Sequence, residues 1–419
     1  MIQLPDWCLL HQCRAGASQW IRLLALAIYL CSGQAGAEEA GEASVPPALV
    51  TAPVTKAERD HREYRHLTLA NQLKVLLIAD TQAPTVSMAV DIAAGYHQDP
   101  PEASGTAALL AYSLLQAQPN MARALALTDA MLNTQVNAEH TRFTLTSPNS
   151  PAALFSLLPT LSSALTTPAF SEAVLSRALT HTDADFQALL ADPEARRLDV
   201  YCALFNADHP RARYCRSGIR VEQQEAAEIN RHLREYHLRY YRADSITVVV
   251  RAALSLDVLE AQLVKHFSGL PGGEVDFEAP VPLVEPGRLP LMVAIRTSAG
   301  PGRLHLAFPI PHVPEHLSHQ PYSVARSLLE NKGQGSLQAL LQELEWAENI
   351  QTYIAPVSRY EGLFEIDIEL TRLGVRAQDQ IVALVFHLLE KIRGRGVTEW
   401  RYAELAQLAR LSFRFDENP

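Results

Sequence analysis

One succession of local patterns occurs twice in this 419-residue chain, and that repetition limits what it can fold into more than any single motif does. Two β-rich runs, Leu73 to Ala79 and Val86 to Ala93, precede helical patterns at Glu102 to Gln116 and Met121 to Leu132 and a strand at Thr141 to Thr146. Helices over Ala152 to Leu165, Glu172 to Leu190, Arg197 to Asn206 and Glu222 to Tyr240 follow, then strand Ser245 to Val250 and helix Leu256 to Phe267. Gly269 to Arg288 is dense in Gly and Pro and reads as an interdomain linker. Beyond it the order restarts. Strands Leu291 to Arg296 and Leu304 to Pro309 flank an SAGPG turn, helices follow at Pro321 to Leu329 and Ser336 to Leu344, then strands Thr352 to Pro356 and Leu363 to Leu370 and a helix from Ala377 to Ile392. A repeated succession of elements implies internal duplication.

A hydrophobic content of 48% with 20% charged residues gives enough apolar material for two cores. The net charge of -10 argues against a nucleic-acid partner. Ile21 to Leu30 is an apolar run preceded by Arg14 and followed by Ala35-Gly36-Ala37, the pattern of a signal peptide cleaved near Ala37. That implies a periplasmic or secreted protein with no membrane span after cleavage, since the run is short for one. Cys31 suggests a lipid anchor, but bulky Leu30 stands where a small residue is wanted. Residues 38–60 then read as a flexible lead-in. Cys202 and Cys215 are the two cysteines left in the mature chain; an oxidising compartment and an even count favour one disulfide, and two buried free thiols are the alternative.

Good helix formers fill Gly105 to Leu115, GTAALLAYSLL, behind the start signal Asp99-Pro100-Pro101-Glu102. Ahead of it stand YRHLTLANQLKVLLIAD (Tyr64 to Asp80) and VDIAAGYHQDPPEASG (Val90 to Gly105). Later blocks are ENKGQGSLQALL (Glu330 to Leu341), FEIDIELTRLG (Phe364 to Gly374) and GVTEWRYAELAQLARLSFRF (Gly396 to Phe415). Together these resemble the insulinase (pitrilysin) family of zinc metallopeptidases, in particular the N-terminal half of the pitrilysin and insulysin branch. The resemblance implies an α+β architecture of repeated insulinase-like domains, each a mostly antiparallel sheet with helices packed on it. It also implies a peptidase N-terminal domain over 61–268, a linker over 269–288 and a second domain over 289–419 whose last strand is missing, leaving a sheet edge uncovered.

In that family an inverted His-x-x-Glu-His motif on the helix supplies two zinc ligands and the general base. Here the corresponding residues are Ala108, Ala111 and Tyr112. Methyl groups have no lone pairs and an unperturbed phenol keeps its proton, so the resemblance carries the frame without its chemistry. Counting from Pro168-Ala169-Phe170 and from Asp208-His209-Pro210 places Asp185 at the third-ligand glutamate, one methylene short. Most of the roughly 10 to 16 kcal/mol typical of a structural zinc site then has no source, and no cofactor is expected. LNTQVNAEHTRFTL (Leu132 to Leu145) resembles the family's edge strand for extended peptides, with Asn133 at its asparagine and Thr134 replacing its alanine; an Asn ending a helix is the competing reading.

Other candidates have plainer explanations. His312, His316 and His319 are spaced like ligands, but Pro311 and Pro314 break any helix there. His232 and His237 fit a surface or capping role on an amphipathic helix. Gly333 to Ser336 is a tight turn capped by Ser336 rather than a phosphate loop. No Gly-x-Ser-x-Gly elbow supports a serine hydrolase. The implied function is a non-catalytic, peptide-binding or assembly protein. Its partner would be an active insulinase-like peptidase subunit or a split C-terminal half. The alternatives are a weak zinc endopeptidase rebuilt from Asp185, Tyr112 and a histidine from elsewhere, or a truncated remnant.

Overall fold

The computed structural model describes residues 49–50, 54–118, 120–148, 151–166, 168, 170–191, 200–217, 225–295, 302–311 and 321–415. The signal-peptide pattern, Cys215's side chain and His312, His316 and His319 lie outside the described residues. Residues 46–419 form one compact unit that holds two sheets.

The first sheet takes seven strands: β1 (Leu49–Val50), β2 (Glu63–Thr68), β3 (Lys74–Ala79), β4 (Thr85–Ile92), β5 (Met131–Val136), β6 (Thr141–Pro148) and β7 (Ile246–Ala252), in the order β1-β2-β3-β7-β4-β6-β5. Only β3 and β7 pair in parallel; the other neighbours run antiparallel. The alternation read from the sequence is realised in β4, where Val86, Met88, Val90 and Ile92 are buried and the residues between them are half-buried. Helices α1 (Thr106–Gln116), α2 (Met121–Thr128), α3 (Pro151–Thr166), α4 (Glu172–Ala191), α5 (Pro210–Ser217), α6 (Ala226–Tyr240) and α7 (Leu256–Phe267) accompany this sheet. Leu109, Leu110 and Leu114 of α1, Leu233 of α6 and Leu259, Leu263 and Phe267 of α7 join the strand residues in one core.

The second sheet has three strands, β8 (Gly302–Pro311), β9 (Ala347–Pro356) and β10 (Glu361–Leu370), in the antiparallel order β8-β10-β9. Its helices are α8 (Pro321–Leu329), α9 (Leu337–Glu343), α10 (Gln378–Arg395) and α11 (Glu399–Phe415). Ser336 caps α9 as its position predicts, its hydroxyl accepting the Ala339 N–H at 3.1 Å. Leu283 of the Gly/Pro-rich stretch is fully buried in a small cluster with Cys202, Phe205, Val357 and Leu363, so this connection is packed against both sheets' elements.

Several expectations are corrected. Met131 and Leu132 open strand β5 instead of closing a helix, because α2 stops at Thr128 and Asp129 adopts the left-handed conformation that ends it. The helix expected from Glu102 starts at Thr106, since residues 101–105 are turn and Gly105 has φ 97°. Leu291 to Ile295 is not a strand; it is exposed and has no pairing partner among the described residues. Leu49–Val50, inside the presumed lead-in, pairs with β2. His232 and His237 are core residues, 1% and 4% exposed, and His237 Nε2 lies 2.7 Å from the Leu165 carbonyl. Burial drives the His237 imidazole below its usual range.

Candidate functional site

The site is framed by α1, α4 and the β5 edge. What holds α1 in place is Asp99, whose carboxylate accepts the N–H of Gly105 at 2.7 Å and of Ala107 at 2.8 Å. It thus satisfies two of the donors a helix start leaves open, from seven residues upstream of Thr106. Burial pushes the Asp99 carboxyl up to about 7, against the two N–H bonds that favour its charged form.

Upstream, the loop is joined to the β5–β6 hairpin. Tyr96 and His97 donate N–H bonds to the carbonyls of Asn137 and Ala138 at 3.0 and 2.8 Å. A Cβ on Gly95 would lie 2.1 Å from the Asn137 oxygen, so the approach requires glycine. Tyr236 on α6 donates its hydroxyl to the Gly95 carbonyl at 2.8 Å. The helix and the outer edge of the sheet are therefore one connected frame.

On α1, Ala111 is fully buried, while Ala108 and Tyr112 are half-buried beside it. Helix α4 packs against α1. The Tyr112 ring stacks on His181 of α4, with centroids 5.7 Å apart and planes 19° from parallel. Asp185 falls within α4 one turn beyond His181, but its side chain lies outside the described residues. The structure thus brings position 112 to the helix that carries position 185. His181 was not singled out from the sequence; its only signal is the i−4 spacing from Asp185, which puts both on one helix face.

The donor set at this place does not fit a zinc ion. Ala108 and Ala111 offer no lone pair, and Tyr112 offers a phenol where an imidazole is wanted. Among the described residues no three His, Cys, Asp or Glu side chains gather as a metal site.

At the edge of the first sheet, β5 pairs with β6 and has no second strand neighbour among the described residues. Asn133 is exposed opposite Thr144, and Thr134 is half-buried opposite Phe143. Pro148 opposite Thr85, and the Ala93 N–H bond to Ser245 beyond β7, set the alternation of bonds across the sheet. Even-numbered residues of β6 are bonded to β5 and not to β4. Asn133 is therefore bonded inward, while Leu132, Thr134 and Val136 present their N–H and C=O to the open side. Cys202 is disulfide-bonded.

Beneath the frame lies a buried polar cluster that no sequence spacing suggests. His97 and His209 meet edge to face at 5.7 Å, and His209 Nε2 lies 3.2 Å from a Glu361 oxygen at the start of β10. Arg359, in the same turn, donates to the Ala93 carbonyl at 3.0 Å, pairs with Glu139 at 3.3 Å and covers the Phe277 ring at 4.2 Å. The β9–β10 turn is in this way tied to the loop that carries α1.

Two family profiles fall on the chain in order: "Insulinase (Peptidase family M16)" over residues 74–213 and "Peptidase M16 inactive domain" over residues 230–408. The chain is a member of the insulinase family. It is 26% identical to the human insulin-degrading enzyme over 375 residues, covering 87% of this chain and 37% of that protein. Against protease 3 of Escherichia coli the identity is 23% over 407 residues, covering 95% and 42%. Pitrilysin superimposes with a TM-score of 0.79 at 22% identity over 89% of this chain and 41% of that one. A Pseudomonas fluorescens protein described as a peptidase M16 inactive domain superimposes at 0.60, with 17% identity over 84% of this chain and 88% of that one. The chain spans less than half the length of these curated relatives. The insulinase-like mixed fold expected from the sequence is the one observed.

Proposed function

We propose that this insulinase-family chain is a non-catalytic protein that holds extended peptides on the open edge of β5, acting as a binding or assembly subunit beside an active zinc peptidase homologue in an exported, periplasmic setting. What supports the reading is helix α1, between β4 and the β5–β6 hairpin, on which Ala108, Ala111 and Tyr112 stand at the positions that the sequence resemblance assigns to the family's zinc motif. Binding needs less than hydrolysis. An added strand is held by main-chain hydrogen bonds from the alternate residues Leu132, Thr134 and Val136, and side-chain pockets set preference.

The test is fluorescence polarisation of a labelled extended peptide with the full chain, with and without chelator, followed by mass spectrometry of the peptide. Saturable binding that Thr134→Pro weakens at least about tenfold, with the peptide recovered intact, supports the reading. Cleavage that a chelator stops, or binding indifferent to Thr134→Pro, overturns it.

One observation favours a second reading. The His181 ring against Tyr112 supplies a histidine beside the old ligand position, from which a weak metal site with Asp185 could be rebuilt. Zinc at one per chain, lost in both His181→Ala and Asp185→Ala, would establish it.

A further inference from the structure

Arg211 is a half-buried cation that meets no anion among the described residues. It is the second residue of α5, and its guanidinium lies over the Tyr96 ring, 5.6 Å from the centroid. Tyr96 in turn stacks on Tyr214 of the same helix, with centroids 3.8 Å apart and planes 15° from parallel. Arg62, Arg65, Arg251 and Arg359 are half-buried too, and each meets a carboxylate at 2.6 to 3.3 Å. Burial draws the Arg211 guanidinium below its ordinary range, with only Tyr214 acting against it.

The acids of the adjoining elements are engaged elsewhere: Asp99 with the N–H groups of Gly105 and Ala107, Glu139 with Arg359, and Glu361 with His209. Arg213, two residues on and so on another face of α5, acts on the buried His97 and Asp99. A guanidinium drawn out of bulk water without a counter-ion is costly, and a carboxylate brought to it forms a planar, charge-assisted pair.

The place of Arg211 names the source of that carboxylate. Helix α5 packs on the turn that holds Tyr96, and the Tyr96 N–H bonds to the Asn137 carbonyl at 3.0 Å, one residue beyond the end of β5. The arginine therefore stands at the Val136 end of the edge on which a peptide is proposed to lie. A strand added antiparallel to β5 begins at that end, its N-terminal residues beside Val136 and its C-terminal residues beside Leu132. We propose that Arg211 selects extended peptides with an Asp or Glu side chain in their N-terminal part, ahead of the residues that pair with Val136 and Thr134, the carboxylate seating on the guanidinium beside Tyr96. The proposal rests on the peptide-binding reading of β5 and adds a charge preference to it.

The experiment is calorimetry of the full chain with short extended peptides, acetylated and amidated so that a side chain is their only carboxylate. A single Glu is walked along the peptide from its first position to its last, against a parent with Gln throughout. In the wild type, Glu near the N-terminus should tighten binding at least about tenfold over the Gln parent. Arg211→Met should erase that preference while the parent binds unchanged, and Arg211→Lys should keep part of it; a role in folding alone would weaken all the peptides together. Equal binding of all the peptides, a preference at the C-terminal end, or one that survives Arg211→Met would overturn the proposal and leave the reading of the β5 edge standing. Binding of none would overturn both.

Discussion

Replacing His97 with leucine separates the contribution of one buried imidazole from the rest of the stability profile. His97 is 7% exposed against His209, and burial first, then His209, Arg213 and Arg359, push its imidazole down to about 3. A histidine whose folded pKa is depressed stays neutral in the native state while the unfolded chain takes up a proton below about 6.5, so native stability falls with pH through that window. Between pH 7 and pH 5 the loss is about 2 kcal/mol, at about 1.4 kcal/mol per pH unit below the unfolded value. Asp99 acts in the opposite sense, because its carboxyl is raised to about 7 and the native state takes up its proton first as pH falls. The raw wild-type profile therefore blends the two, and the difference between His97→Leu and wild type isolates the histidine. Urea unfolding followed by far-ultraviolet circular dichroism at both pH values gives that difference. The variant should gain about 2 kcal/mol on wild type in going from pH 7 to pH 5. An unchanged difference would refute the account of His97 as a neutral buried imidazole.

Asp99→Ala should destabilise the protein by about 2–5 kcal/mol, since the N–H groups of Gly105 and Ala107 lose their buried acceptor; urea unfolding at pH 7 measures it. Restoring the motif with Ala108→His, Ala111→Glu and Tyr112→His together with Asp185→Glu should create a zinc site of one ion per chain, detected by elemental analysis after dialysis; failure to bind would mean that the α1–α4 frame is not the one proposed.

Much of the fold was legible because its signals are local. Leu256 to Phe267 and Pro321 to Leu329 are helices with the bounds their patterns gave, and the succession of two helices, a hairpin and two helices that follows β4 recurs after β8. The errors arise where distant partners decide. Asp99 starts α1 across an intervening turn, so the acidic start signal was right and the first helical residue was not. Leu291 to Ile295 has strand composition but no pairing neighbour among the described residues. His232 and His237 lie on an amphipathic helix whose buried face includes them, a choice of face that spacing alone does not fix. At the site, the correspondence of positions 108, 111 and 112 to the family motif rests on sequence register alone, while the Tyr112–His181 contact needed the packing of α1 on α4.

The central claim is that this helix has kept its place and lost its metal chemistry. The most direct measurement is zinc titration of the full chain by calorimetry, with peptide cleavage assayed on the same samples before and after chelation. The account predicts no stoichiometric zinc and no chelator-sensitive cleavage. One zinc per chain, weakened by Tyr112→Phe and Asp185→Ala and accompanied by cleavage that chelation stops, would contradict it.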